Sequence, residues 1–90
     1  MMYPFMTLND DTEITHSEFK QDGTVEVYIE TPDEKDGFHH AKCQLPEQKW
    51  FDIDGYSEKE IEYFKELISS TAHLILEFSK TGGLLNASNF

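Results

Sequence analysis

Two histidines and the chain's one cysteine lie close together in residues 38–43, and imidazole and thiolate groups are ligands that zinc prefers. Pro46 follows closely and a turn signal precedes, which favours a strand here. On a strand His39 and His40 point to opposite faces, while His39 and Cys43 share a face about 13 Å apart. One ion cannot bridge that distance. The sequence therefore predicts no metal site.

Two acidic turns, Asp33–Gly37 and Asp52–Gly55, are a second candidate for cation binding. A calcium loop of the EF-hand type needs a glycine at its sixth position and acids at its first and last positions. With Gly55 in the sixth position, the two acids are replaced by Trp50 and Ile61. The turn Asp33–Gly37 likewise lacks acids at the first and last positions of such a loop. We expect both to be ordinary solvated turns.

Catalytic chemistry has little support in the sequence. The available nucleophile is Cys43, but neither a nucleophile elbow nor a glycine-rich phosphate loop is present. A chain of 90 residues also has little room for an enzyme-sized pocket beside its core. We expect a non-enzymatic protein without a cofactor, although four histidines would be available as bases: His16, His39, His40 and His73.

The charge balance points to a basic partner. The chain has 18 acids and 7 bases, which gives a net charge of −11, and every base is a lysine. Without arginine it lacks the planar fork that reads guanine edges and clamps phosphates. Direct binding to nucleic acid is therefore not expected, and we expect a basic protein as the partner.

Most of the acid lies in residues 1–55, which hold 13 acids and 4 lysines. Within this part, Thr24–Glu30 alternates apolar and polar residues, so one face of a predicted strand carries Glu26, Tyr28 and Glu30. Carboxylates repeated at strand spacing can imitate a phosphate backbone for a nucleic-acid-binding protein. The candidate partner-binding residues come from this strand and the turns near it: Glu18, Glu26, Tyr28, Glu30, Asp33, Glu34 and Asp36.

A second hypothesis is a structural or assembly protein. The predicted C-terminal helix and the tail after it carry more apolar residues than a short sheet needs to cover. A homodimer would then form through these residues, and the acid would serve only solubility. The candidate interface residues are Leu74, Leu84, Leu85 and Phe90.

The elements that position these residues form an α+β domain over residues 1–90. Residues 3–53 are predicted to form an antiparallel meander of three to four strands: Glu13–Phe19, Thr24–Glu30, Phe38–Leu45 and an optional edge strand Tyr3–Leu8. The sheet packs against one long helix over residues 57–81, followed by a tail at 82–90. Ser57 and Glu60 form a capping box that predicts where this helix begins.

In its size, its acidity and its lack of catalytic residues, the chain is similar to inhibitors carried by phages and mobile elements, including anti-CRISPR proteins, and to the antitoxins of toxin–antitoxin pairs. This resemblance implies a protein that occludes a partner. A single cysteine favours a reducing compartment. With neither a signal sequence nor a long apolar run, we expect a cytoplasmic protein that does not bind membranes.

Overall fold

A five-stranded sheet and one helix make up the fold, in a computed structural model that describes residues 2–82. The strands are β1 (Tyr3–Thr7), β2 (Glu13–His16), β3 (Val25–Asp33), β4 (Gly37–Leu45) and β5 (Lys49–Asp54), and the helix is α1 (Glu58–Lys80). Each strand pairs antiparallel with the next, so the order in the sheet is the order in the sequence. The predicted α+β meander is confirmed in this arrangement.

The predicted number of strands was too low, since the sheet has five strands rather than three to four. The optional edge strand is present as β1, and β5 is the strand that was missed. A register irregularity separates the β5 residues Phe51 and Asp54, and Asp52 between them has a φ of 52°. Such a bulge breaks the alternation of apolar and polar residues by which a strand is recognised.

The core lies between one face of the sheet and α1. Val25, Val27 and Ile29 are fully buried, as the alternation in β3 predicted. The helix contributes residues at helical spacing, because only one stripe of its surface faces the sheet. The buried apolar side chains among the described residues are Ile14, Val25, Val27, Ile29, Ala41, Cys43, Leu45, Ile61, Phe64, Ile68 and Ile75.

β3 continues through Pro32 to Asp33, three residues beyond the end that was predicted at Glu30. A proline cannot donate a hydrogen bond to a neighbouring strand, so it is tolerated only where one side of a strand is unpaired. The pairing of β2 with β3 ends at Glu30, whereas the pairing with β4 continues to Asp33. Pro32 therefore lies where β3 has become an edge.

The helix begins where the capping box predicted. Ser57 is the N-cap, and its hydroxyl accepts a hydrogen bond from the Glu60 backbone N–H at 3.2 Å. The Glu60 carboxylate accepts one from the Ser57 N–H at 2.8 Å. Two backbone donors that the first helical turn leaves without partners are thereby satisfied. No helix in the described part of the chain is long and apolar enough to cross a membrane.

We expect Ser57→Ala to lower the free energy of unfolding by about 1 kcal/mol, because the hydroxyl that accepts the Glu60 N–H is removed. Chemical denaturation measures this change. Ser70→Ala is the matched control: its hydroxyl is exposed within the same helix and donates to the Leu67 carbonyl. Equal midpoints for the two variants would mean that the cap does not stabilise the helix.

Candidate partner-binding surface

The strand order gathers carboxylates at one end of the sheet. In an antiparallel meander, alternate turns lie at the same end, so the β1–β2 turn, the β3–β4 turn and the segment that leads into α1 are neighbours. Lys35 and Lys59 are the basic residues in these segments. We call this region the acidic end and define it by its carboxylates: Asp10, Asp11, Glu13, Glu30, Asp33, Glu34, Asp36, Asp54, Glu58 and Glu60.

One row of residues across the sheet forms the inner border of the acidic end. Glu13 pairs with Glu30, Glu30 with His40, and His40 with Asp54. Like charges directly opposite each other on neighbouring strands are destabilising. Glu13 and Glu30 form no ion pair with a lysine among residues 2–82. The sheet therefore presents an unbalanced negative row at this border.

A chain of hydrogen bonds connects the segments of the acidic end. The hydroxyls of Thr12, in the β1–β2 turn, and Thr31, in β3, are 2.6 Å apart. Thr31 is also 2.7 Å from the Tyr56 hydroxyl, which donates to the His39 carbonyl in β4 at 3.3 Å. Thr12 is fully buried. These contacts connect the β1–β2 turn, β3, β4 and the residue before the N-cap of α1.

The turn carboxylates are held in their ionised form. Asp10 accepts a hydrogen bond from the Thr12 N–H at 3.2 Å, and a side-chain hydrogen bond with Thr12 is the main reason why the pKa of Asp10 is below its usual value. Asp33 accepts backbone hydrogen bonds from Asp36 at 3.0 Å and Lys35 at 2.9 Å. These two bonds lower the pKa of Asp33. Both groups therefore keep their negative charge at neutral and mildly acidic pH.

His39 joins the two aspartates of the β3–β4 hairpin. Its Nε2 lies 3.3 Å from a carboxylate oxygen of Asp33 and 3.3 Å from one of Asp36. The ring packs edge-on against Tyr56 and occupies the space that a side chain at position 55 would need, which requires Gly55 there. This grouping was not predicted from the sequence, where the metal ligands considered with His39 were the histidine and cysteine nearby. The signal in the sequence that could have predicted the grouping is the spacing of these three residues around a tight turn.

The same three residues are the group that could hold a metal ion among the described residues, because their ligand atoms lie within 4.8 Å of one another. Carboxylate and imidazole suit several divalent cations. Cys43 does not contribute, since it is fully buried in the core and burial raises the pKa of its thiol to about 12. Without an ion, the cluster is a hydrogen-bonded hairpin, with His39 Nε2 3.3 Å from Asp36.

We expect neither zinc nor nickel to raise the melting temperature of the chain. A site in the folded state would stabilise it by mass action, and the side chains of this cluster already pair with one another. Thermal melts with and without one equivalent of metal, on the parent and on His39→Ala and Cys43→Ala, measure this. A stoichiometric rise that His39→Ala abolishes and Cys43→Ala preserves would establish a metal centre at the hairpin.

The centre of the open sheet face is nearly balanced in charge. Tyr28 stacks on His40 with 6.2 Å between the ring centroids, and burial, followed by the contact with Glu30, raises the pKa of its hydroxyl. Asp52 lies 3.6 Å from the Lys42 amine and 3.8 Å from His40 Nε2. The negative charge of this face therefore lies toward the acidic end rather than along the whole of β3.

The structure separates the predicted partner-binding residues into two groups. Glu30, Asp33, Glu34 and Asp36 belong to the acidic end. Glu26 lies four residues before Glu30, about 13 Å along the strand, opposite the neutral Gln44. Glu18 lies in the β2–β3 connection, at the other end of the sheet. The members that sequence reasoning missed follow from the strand order: Asp10, Asp11, Glu13, Asp54, Glu58 and Glu60.

The alternative interface can be located only in part. Leu74 lies on α1 and is 36% exposed, away from the buried stripe of the helix. Leu84, Leu85 and Phe90 lie outside the described residues. The structure therefore provides one exposed leucine of the four residues predicted for this interface.

Known proteins give no further guidance on this surface. Comparisons of the chain with models of protein families, with curated proteins and with solved structures find no match.

Proposed function

We propose that this chain is a non-enzymatic binding protein whose acidic end covers a basic surface of a protein partner. The observation that carries the proposal is that carboxylates from two turns, from one row of residues across the sheet and from the start of α1 lie together at the acidic end. The bases in this region are Lys35 and Lys59. A surface of one sign attracts a partner of the opposite sign and speeds its association. The partner that this favours is itself a nucleic-acid-binding protein.

Three features support a role as a nucleic-acid mimic. The carboxylates of Asp10 and Asp33 are fixed by hydrogen bonds and stay ionised, as phosphates do. Glu13 and Glu30 lie directly opposite each other, which places their Cβ atoms about 5 Å apart on neighbouring strands and their carboxylates on one face of the sheet. The hydrogen-bonded turns hold this pattern before binding, so the entropy cost of ordering these side chains on binding is small.

The biological setting that fits such a protein is inhibition inside a cell. An acidic surface that occupies the nucleic-acid groove of a basic partner blocks that groove without any chemistry. We therefore place the chain among cytoplasmic inhibitors of the phage, mobile-element or antitoxin type. Membranes and free nucleic acid are not its ligands in this proposal, since the acidic end would repel both phosphate groups and anionic lipids.

The dependence of capture on salt and on DNA tests the proposal. We expect the immobilised chain to retain a basic nucleic-acid-binding protein from a bacterial lysate at low ionic strength. Excess double-stranded DNA should displace it, and so should salt of about 1 M, where the Debye length is about 3 Å. Mass spectrometry identifies the retained protein. Retention that neither salt nor DNA reduces would contradict an electrostatic interface.

The assembly reading stays as a second proposal because Leu74 is exposed on α1. A dimer formed through apolar side chains does not weaken as ionic strength rises, in contrast to the electrostatic complex. Sedimentation equilibrium of the pure chain at two salt concentrations separates the two readings. A dimer that Leu74→Ser dissociates would favour assembly.

A further inference from the structure

A groove of about 570 Å³ opens at the acidic end, between the end of β1, the β1–β2 turn and the first two turns of α1. Its size lies within the range of about 300–1,000 Å³ that is typical of ligand sites. It adjoins the charged residues of the acidic end but has an apolar interior. Met6, Leu8 and Phe64, which are buried or half-buried, line its interior, and the exposed side chains of Asp10, Glu60 and Tyr63 form its rim.

We propose that this groove receives an apolar side chain of the basic partner, with lysine or arginine on either side of that residue in the partner chain. The inference rests on the proposed function and gives the partner a more specific chemistry. Protein interfaces draw most of their binding energy from a few anchors that enter well-packed pockets, surrounded by a polar rim. The groove supplies such a pocket within a surface that otherwise attracts only by charge.

The apolar part of the groove is preformed. Phe64 is only 4% exposed, and its ring packs edge-on against Tyr56 at a centroid distance of 5.0 Å. Tyr63 lies 5.6 Å from Phe64 and is 54% exposed. An exposed aromatic ring beside a recess is typical of interface residues, because it gains a large contact area with little loss of conformational freedom. The floor is therefore fixed and the rim ring is available for contact.

The rim charges determine which partner fits. Asp10 is held by the Thr12 N–H, and Glu60 is held by the Ser57 N–H at 2.8 Å. Among residues 2–82, Lys59 is the base that lines the groove. Two positioned carboxylates flanking an apolar pocket complement an apolar residue with basic neighbours, and they would repel an acidic segment.

Two other occupants lack this complementarity. A second copy of the chain carries a net charge of −11 and would bring more acid to an acidic rim. Residues 83–90 of the same chain contain apolar side chains but neither lysine nor arginine. The charge of the rim therefore favours a separate basic partner.

Two short peptides of equal charge test the groove. The probes are acetyl-Lys-Lys-Leu-Lys-Lys-amide and the same peptide with serine in place of leucine, titrated into the ¹⁵N-labelled full chain and followed by NMR. We expect the leucine peptide to bind at least about tenfold more tightly, because only leucine buries apolar area in the groove. Its largest shifts should fall on Leu8, Asn9 and Tyr63.

Matched variants separate the groove from general charge attraction. Tyr63→Ala should bring the two peptides to equal affinity, whereas Phe51→Ala, which removes an exposed aromatic ring from the open sheet face, should leave their difference intact. If both peptides bind the parent with equal affinity that falls with salt, the inference that the groove receives an apolar side chain is overturned, and the proposed function stands. Failure of both peptides to bind up to millimolar concentration would overturn both proposals.

Two further measurements decide between the occupants. Groove resonances that differ between the full chain and a chain ending at Gly82 would show that residues 83–90 occupy the groove, and resonances that shift with protein concentration would show a second copy there. Either result overturns the inference of a partner side chain. We expect neither difference at Leu8, Asn9 or Tyr63.

Discussion

Reversing Glu13, Glu30 and Glu34 to lysine is expected to weaken binding of the basic partner by about 100-fold. The three side chains belong to the acidic end, and each reversal replaces an attraction with a repulsion. Glu13 and Glu30 face each other across β2 and β3, so changing both keeps a like-charge pair between these two strands. Affinity for the protein captured at low salt, measured by surface plasmon resonance, checks this.

The control must carry the same net charge in a different place. Reversing Glu47, Glu66 and Glu77, which are exposed in the β4–β5 turn and on α1, also takes the net charge of −11 to −5. We expect this control to lose at most about tenfold, through the weaker long-range field. Equal losses in the two triple variants would show that net charge, rather than the acidic end, determines binding.

Truncating Ile68 to alanine is expected to lower the free energy of unfolding by about 2–5 kcal/mol. Ile68 is fully buried at the middle of α1, where the helix packs on the sheet. Removing most of its side chain loses buried apolar area and leaves a cavity that the surrounding residues fill only in part. Urea denaturation measures the change, and for a chain of this size it is a large fraction of the total stability.

Leu74→Ala is the matched control for Ile68→Ala. Leu74 lies on the same helix and is 36% exposed, so its truncation should change the stability by no more than about 0.5 kcal/mol. If Leu74→Ala cost as much as Ile68→Ala, Leu74 would be buried in solution, which would favour the dimer of the assembly proposal.

The elements with strong local patterns could be predicted from the sequence. Val25, Val27 and Ile29 alternate with polar residues and are fully buried, because one face of β3 meets α1. The capping box at Ser57 and Glu60 marked the start of α1, because its hydrogen bonds involve only neighbouring residues. The prediction for β3 needed only one buried face, and the prediction for the start of α1 needed only local geometry.

The missed strand shows where local patterns are insufficient. β5 lies at the edge of the sheet, pairs with β4, and has a bulge at Asp52. Most of its side chains are exposed, so its sequence lacks the alternation of apolar and polar residues that marks a half-buried strand. Its formation depends on pairing with β4, which a local pattern cannot show. Trp50, Phe51 and Ile53 are the apolar residues that this edge strand still carries.

The candidate surface was predicted in part, for a related reason. Glu26 and Glu30 share one face of β3, and alternation was sufficient to place them there. Whether Asp10 and Asp54 join Glu30 depends on strand order and register, which bring together residues far apart in the sequence. The acidic end therefore became apparent only from the topology of the whole sheet.

Carbodiimide cross-linking of the captured complex tests the acidic end most directly, because this reagent joins a carboxylate to a lysine amine in direct contact with it. Mass spectrometry of the cross-linked peptides shows which carboxylates touch the partner. We expect cross-links from the acidic end, with Glu13, Glu30 and Glu34 among them, to lysines in the nucleic-acid-binding surface of the partner. Cross-links that come instead from Glu47, Glu66 and Glu77 would contradict the proposal that the acidic end binds the partner.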